Sequence, residues 1–148
     1  MCRTSAPSIY AAGDCCSFPS GKYGRRIRLE SVQNAIDQAK AAVLAMLGKG
    51  AQYDRVPWFW SDQFDTKLQI AGLSQGADNV VLRGDMEAPG FSVAYLKDGR
   101  LIALDAVNQP KDYMMARRLV PSSFQATERD LSDPGVSLRD MVAAPSPA

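Results

Sequence analysis

Between Ser31 and Leu47, apolar residues return at Val32, Ala35, Ile36, Ala39, Val43, Met46 and Leu47, a period near 3.6 that gathers them on one helical face. Ser31 suits the N-cap and Gly48 and Gly50 supply the stop, so the pattern predicts a helix with one apolar face. Upstream, Ile9, Tyr10, Ala11 and Ala12 run without a polar break between Pro7 and Gly13. That run predicts a short strand buried on both faces, as in a parallel sheet. Residues 15–28, carrying Pro19, Gly21 and Gly24, read as a loop, and Gln52 to Val56 as a linker.

After Val56 the pattern shortens to that of strands. WFWSDQF and KLQIAGL are followed by NVVLRGD, FSVAYLKDG and RLIALDAVN, with Asp98-Gly99 marking a tight hairpin. Pro110 then opens a helix over KDYMMARRLV, a second short helix is expected near Val136, and the last five residues are expected to be loose. The fold class is α+β: an antiparallel sheet flanked by helices over residues 53–148, loose from about 143, preceded over residues 1–52 by one strand and one helix of an α/β layer. A parallel strand without partners implies that the rest of its sheet lies in sequence upstream of Met1.

Composition removes several chemistries. No histidine occurs among the 148 residues, which leaves no usual zinc set, no Ser-His or Cys-His nucleophile pair and no imidazole acid or base. Three cysteines, Cys2, Cys15 and Cys16, make no C-x-x-C and no disulfide framework. The longest apolar stretch, AAVLAML, is too short to span a bilayer, and the N-terminus carries no secretory h-region, so the expected compartment is the cytoplasm. Net charge is +1, yet residues 1–50 carry +4 and the remainder −3. Lys22, Arg25, Arg26 and Arg28 concentrate the positive end, suiting phosphate, an acidic protein or a solvated face; so short a cluster in a near-neutral chain does not suit nucleic acid.

Three stretches, TSAPSIYAAGDC, RLESVQNAIDQAKAA and VPWFWSDQFDTKLQIAGL, resemble in order and spacing the C-terminal third of FAD-dependent ferredoxin reductases of the putidaredoxin reductase and rhodocoxin reductase type. The likeness runs from about Thr4 to beyond Val120. It implies a C-terminal reductase domain preceded by the last strand and helix of an FAD-binding domain. It also implies electron transfer from NAD(P)H through FAD to a [2Fe-2S] ferredoxin serving a cytochrome P450 or a ring-hydroxylating dioxygenase. Gln33 stands where close relatives often have proline. No G-x-G-x-x-G occurs, so both pyrophosphate cradles of the family are missing and the chain is expected to be truncated and inactive alone.

Candidate site residues follow from chemistry and resemblance together. Asp14 closes the first strand, where a carboxylate can accept from a sugar alcohol and Gly13 lets a ligand approach the backbone; an aspartate in an ordinary turn is the alternative. The resemblance makes Asp14 the holder of the FAD ribityl chain. The helix opening at Glu30, Ser31 and Val32 offers free amides and a partial positive charge to an electron-rich group. There the resemblance assigns the Val32 amide to a flavin carbonyl. Trp58 and Trp60 share one face of a strand and Phe59 the other, as in a core strand; the resemblance places Trp58 toward the flavin and Trp60 toward the docked ferredoxin. Lys40, Arg25 and Arg26 are expected to steer that acidic partner. By the same likeness Cys15 and Cys16 pack beside the cofactor and take no part in redox chemistry. The competing reading is a non-enzymatic module that docks ferredoxin or another subunit.

Overall fold

The structure, a computed structural model, describes residues 2–50 and 53–143. The described chain divides into two compact units between Phe59 and Trp60. Residues 144–148, where a loose tail is expected, and Gln52 of the expected linker lie outside the described residues.

In the first unit, residues 2–4 run antiparallel to residues 9–11. Thr4 N donates to the Ile9 carbonyl at 2.9 Å, Ala11 N donates to that of Cys2 at 2.8 Å, and Arg3 bridges Tyr10. The apolar run at Ile9 is therefore not a strand buried on both faces; Ile9 is exposed, with no parallel neighbour among the described residues. The expected loop over residues 15–28 is instead a hairpin of β1 (Ser17–Ser20) and β2 (Arg25–Arg28), with Phe18 opposite Ile27. Its two-stranded sheet is all edge, which accommodates Pro19, and its apolar side packs Phe18 edge-on to Tyr53 at 5.4 Å between ring centroids.

Helix α1 (Val32–Met46) forms as its caps require: Ser31 Oγ accepts from Asn34 N, and the amide of Gly48 closes back on the Ala45 carbonyl. Its apolar face is largely open and its polar residues are the buried ones. Val32, Ile36, Ala39, Val43, Met46 and Leu47 are exposed, Leu47 by 64%, while Asn34, at 0%, and Gln38, at 1%, are buried with Gln33 and Ala42. Satisfied hydrogen bonds make the burial of Asn34 and Gln38 possible. Asn34 Nδ2 donates to the Leu29 carbonyl at 2.8 Å, Gln38 Oε1 accepts from Gly13 N at 2.8 Å, and Tyr53 Oη donates to Asn34 Oδ1 at 3.1 Å. Tyr53 thus belongs to this core and is not free linker.

The sheet has the order β3 (Trp58–Gln63), β4 (Thr66–Gly72), β7 (Arg100–Val107), β6 (Phe91–Lys97), β5 (Asn79–Arg83). The β4–β7, β7–β6 and β6–β5 pairs are antiparallel. Asp98 and Gly99, at φ 49° and 71°, close the expected β6–β7 hairpin. At the end of β4, Gly72 has φ +81°, and a Cβ there would sit 2.2 Å from the Ile102 carbonyl oxygen, so only glycine lets the two strands meet.

Register sorts the sheet into two faces. Val81, Ser92, Ala94, Leu104 and Ala106 are buried, and α2 (Pro110–Leu119) packs across β7 and β4 with Tyr113, Ala116 and Leu119 inward. The opposite face, with Val80, Leu82, Val93, Tyr95 and Asp105, is only partly covered. There Tyr95 Oη donates to Asp105 Oδ2 at 2.9 Å; burial and this bond push the phenol up to about 12, and burial raises the Asp105 carboxyl. Two short helices follow: α3 (Glu128–Ser132), which the residue pattern did not announce, and α4 (Leu138–Ala143), the one expected near Val136.

A buried arginine ties these pieces together. Arg83, 4% exposed, donates through Nε to Asp112 Oδ2 at 3.0 Å on α2, through Nη1 to the carbonyls of Leu131 at 3.2 Å and Asp133, and through Nη2 to that of Val136 at 2.6 Å. Ser92 Oγ donates to the same Asp112 oxygen at 2.9 Å. One side chain therefore links β5, α2 and the segment that carries α3 toward α4.

Candidate functional site

Gly13 adopts φ +90°, and a Cβ built on it would lie 3.8 Å from the Ala35 Cβ. Its N–H is fixed by Gln38, so the turn bearing Asp14 is seated on the first two turns of α1. Ala35 is three residues from Val32 and shares its side of the helix. The fold therefore seats the turn of Gly13 and the exposed Asp14 on the side of α1 that carries Val32.

At the helix start the amides of Val32 and Gln33 have no intrahelical acceptor by helix geometry. No acidic residue occupies the first turn of α1 to compensate its positive end. Glu30 lies just outside and pairs with Arg28 at 2.7 Å, both side chains being more than half exposed. Val32 itself is 56% exposed. The arrangement can accept an electron-rich planar group at the helix start and hydroxyls at Asp14. A sugar-alcohol chain joined to a flavin has both features, so the residues fit the FAD that the sequence implies.

The remaining predicted residues occupy other surfaces. Lys40 is exposed on α1, and Arg26, whose Nη2 donates to the Ser17 carbonyl, is exposed on β2 beside a half-buried Arg25. Trp58 is half-buried, Phe59 is 40% and Trp60 38% exposed, so the aromatic triplet is not an ordinary core strand: β3 is the sheet's outer strand. A hollow of about 650 Å³ in the first unit is lined by Arg3, Thr4, Cys16, Arg26, Gln38 and Tyr53 among others. Of the predicted site residues only Arg26 reaches it; Gly13, Asp14, Glu30, Ser31 and Val32 do not. Cys15 is exposed and lines that hollow too, while its neighbour Cys16 is buried.

Asn34, Gln38 and Tyr53 were not singled out by sequence, yet they hold Gly13 and the helix start in place. A signal existed in the polar and small residues at 34, 38 and 42, which form their own i, i+4, i+8 stripe.

The model of a family described as reductase C-terminal matches residues 58–142. The chain belongs to that family. It is 46% identical over 144 residues to the 5,5'-dehydrodivanillate O-demethylase ferredoxin reductase subunit of a Sphingobium species, covering 97% of this chain and 35% of the relative. To putidaredoxin reductase of Pseudomonas putida it is 39% identical over 142 residues, covering 96% of this chain and 34% of the relative. It superimposes on putidaredoxin reductase in the crystal structure of its covalent complex with putidaredoxin with a TM-score of 0.88 and 38% identity, over 96% of this chain and 34% of that one. This reductase C-terminal chain thus corresponds to the C-terminal portion of such ferredoxin reductases and spans about a third of their length. Among the described residues no helix is long and apolar enough to cross a membrane.

Proposed function

We propose that this chain is the flavin-tuning and electron-exit portion of an FAD-dependent NAD(P)H:ferredoxin reductase. The observation that carries the reading is the seating of the Gly13-Asp14 turn on the side of α1 where the uncompensated helix start lies. Bound FAD would supply the chemistry, taking hydride from NAD(P)H and passing single electrons to a [2Fe-2S] ferredoxin serving a cytochrome P450 or a ring-hydroxylating dioxygenase.

This chain's residues bind and orient. Asp14 accepts from ribityl hydroxyls, and Gly13, lacking a Cβ, allows close approach. The Val32 amide donates to a carbonyl at the pyrimidine edge, Ser31 holds the first turn, and Glu30 flanks it. The positive end of α1 favours negative charge arriving there by about 0.3–1 kcal/mol, more where water is excluded. Trp58 contributes an aromatic wall toward the flavin. Trp60 contributes one toward the ferredoxin, which Lys40, Arg25 and Arg26 draw in by charge. No proton-transferring side chain is needed for electron delivery, which suits a chain without histidine.

Lacking a G-x-G-x-x-G, the chain is inactive alone and works joined to the sequence that supplies both pyrophosphate cradles. The test is a chimera in which these 148 residues replace the corresponding third of putidaredoxin reductase. NAD(P)H-dependent putidaredoxin reduction by the purified chimera supports the reading. A folded, flavin-loaded chimera that reduces ferricyanide but no ferredoxin removes the electron-exit role.

A further inference from the structure

Directly after Asp14, Cys15 and Cys16 bring their sulfurs to 3.7 Å, van der Waals contact between adjacent residues. Both side chains line the 650 Å³ hollow of the first unit, but they differ in access: Cys15 is exposed and Cys16 is buried. The turn is held by Cys16 N donating to the Gly13 carbonyl at 3.0 Å, so the two thiols are presented by a fixed backbone. Cys2 lines the same hollow, where its thiol donates to the Gln38 carbonyl at 3.4 Å. No group of His, Cys, Asp or Glu among the described residues is arranged to hold a metal ion, which leaves the contact between the two adjacent sulfurs as the chemistry to explain.

We propose that Cys15 and Cys16 form a vicinal dithiol that hydrogen peroxide oxidises to a reversible Cys15–Cys16 disulfide. The exposed Cys15 thiolate attacks one peroxide oxygen; the O–O bond breaks and hydroxide leaves, to be protonated to water, with Cys15 as the sulfenic acid. The Cys16 sulfur then attacks the Cys15 sulfur; the S–O bond breaks, a second water leaves with the Cys16 proton, and an S–S bond forms. The two sulfurs lose two electrons in total, and the peroxide gains them.

The order of attack follows from access and acidity. Burial, then the bond and charge of Cys15, push the Cys16 thiol up to about 11 from 9.0. Its thiolate population is roughly 100-fold smaller than an ordinary thiol's, offset about 10-fold by greater nucleophilicity, so Cys16 is slower by about 10-fold as the attacking group and serves as the resolving one. Cα atoms of consecutive residues stand about 3.8 Å apart, short of the usual disulfide range of about 4.4–6.8 Å. The eight-membered ring is therefore strained and opens readily to glutathione, as a regulatory disulfide does and a structural one does not.

The test uses the full 148-residue chain, reduced, freed of reductant and treated with one equivalent of hydrogen peroxide, then capped with N-ethylmaleimide. Intact mass is expected to show one maleimide in place of three, peptide mapping to place it on Cys2 with Cys15 linked to Cys16, and glutathione to restore three. Cys15→Ser is expected to slow thiol loss about 10-fold. Cys16→Ser is expected to accumulate a dimedone-trappable sulfenic acid on Cys15. Three maleimides after peroxide, a disulfide that includes Cys2, a crosslinked dimer, or no sulfenic acid on Cys15 in Cys16→Ser would each overturn the proposal.

Discussion

Replacing Arg83 with methionine tests how the second unit is held together. The substitution keeps much of the buried stem volume but removes one ion pair and three charge-assisted bonds to main-chain carbonyls. Asp112, whose side chain is 14% exposed, is then left with the Ser92 hydroxyl against a nearly buried charge. Breaking a buried pair from one side costs about 3–5 kcal/mol, and the stranded carbonyls place Arg83→Met toward the upper end. Domains of this size are stable by roughly 5–15 kcal/mol, so the loss is a large fraction of the whole. Urea unfolding followed by circular dichroism measures it. Hydrogen exchange adds the location: amides from Glu128 to Val136 should lose protection first, since three of the four acceptors lie in or beside that segment. Adding Asp112→Leu to Arg83→Met removes the orphaned carboxylate and should recover at least about 1 kcal/mol. A single-variant cost below about 1 kcal/mol, or a double variant no more stable than the single one, would refute this account of the network.

Other expectations follow from the same geometry. Lys40→Glu in the flavin-loaded chimera should raise the apparent KM for putidaredoxin at low salt, and the difference should shrink toward physiological ionic strength, where the screening length is about 8 Å; a salt-independent change would point to altered folding. The raised phenol of Tyr95 contributes stability that is complete below pH 10.0, its ordinary value, and is lost as pH rises toward about 12. Tyr95→Phe should therefore flatten part of the alkaline fall in urea stability between those limits, and an unchanged slope would remove Tyr95 from it. The isolated chain should show no NADH:ferricyanide turnover above a protein-free blank.

The second unit was legible because its periods are local. Alternation over FSVAYLK and RLIALDAV, the Asp98-Gly99 turn and Pro110 at a helix start each state one structure, and the structure has them. The first unit misled wherever periodicity stood in for burial. The 3.6-residue apolar period located α1 correctly but gave no hint of the buried polar face, where Asn34 and Gln38 satisfy the main chain of the preceding loops. The β1–β2 hairpin hid behind Pro19 and its glycines, which weaken a strand signal without forbidding an edge strand. Asp14 and the α1 start could be named from sequence; their shared side of the helix could not, since it depends on the contact of Gly13 with Ala35.

The central claim is that Asp14 and the start of α1 hold one flavin, and flavin content reads it most directly. In the putidaredoxin reductase chimera carrying these residues, Asp14→Ala removes a charged hydrogen-bond acceptor of about 1.5–3 kcal/mol, weakening FAD retention by roughly 10- to 150-fold. After gel filtration at low concentration, absorbance per polypeptide should show the parent chimera flavin-loaded and Asp14→Ala largely colourless, with matching circular dichroism. Equal flavin content in the two, at equal fold, would contradict the account.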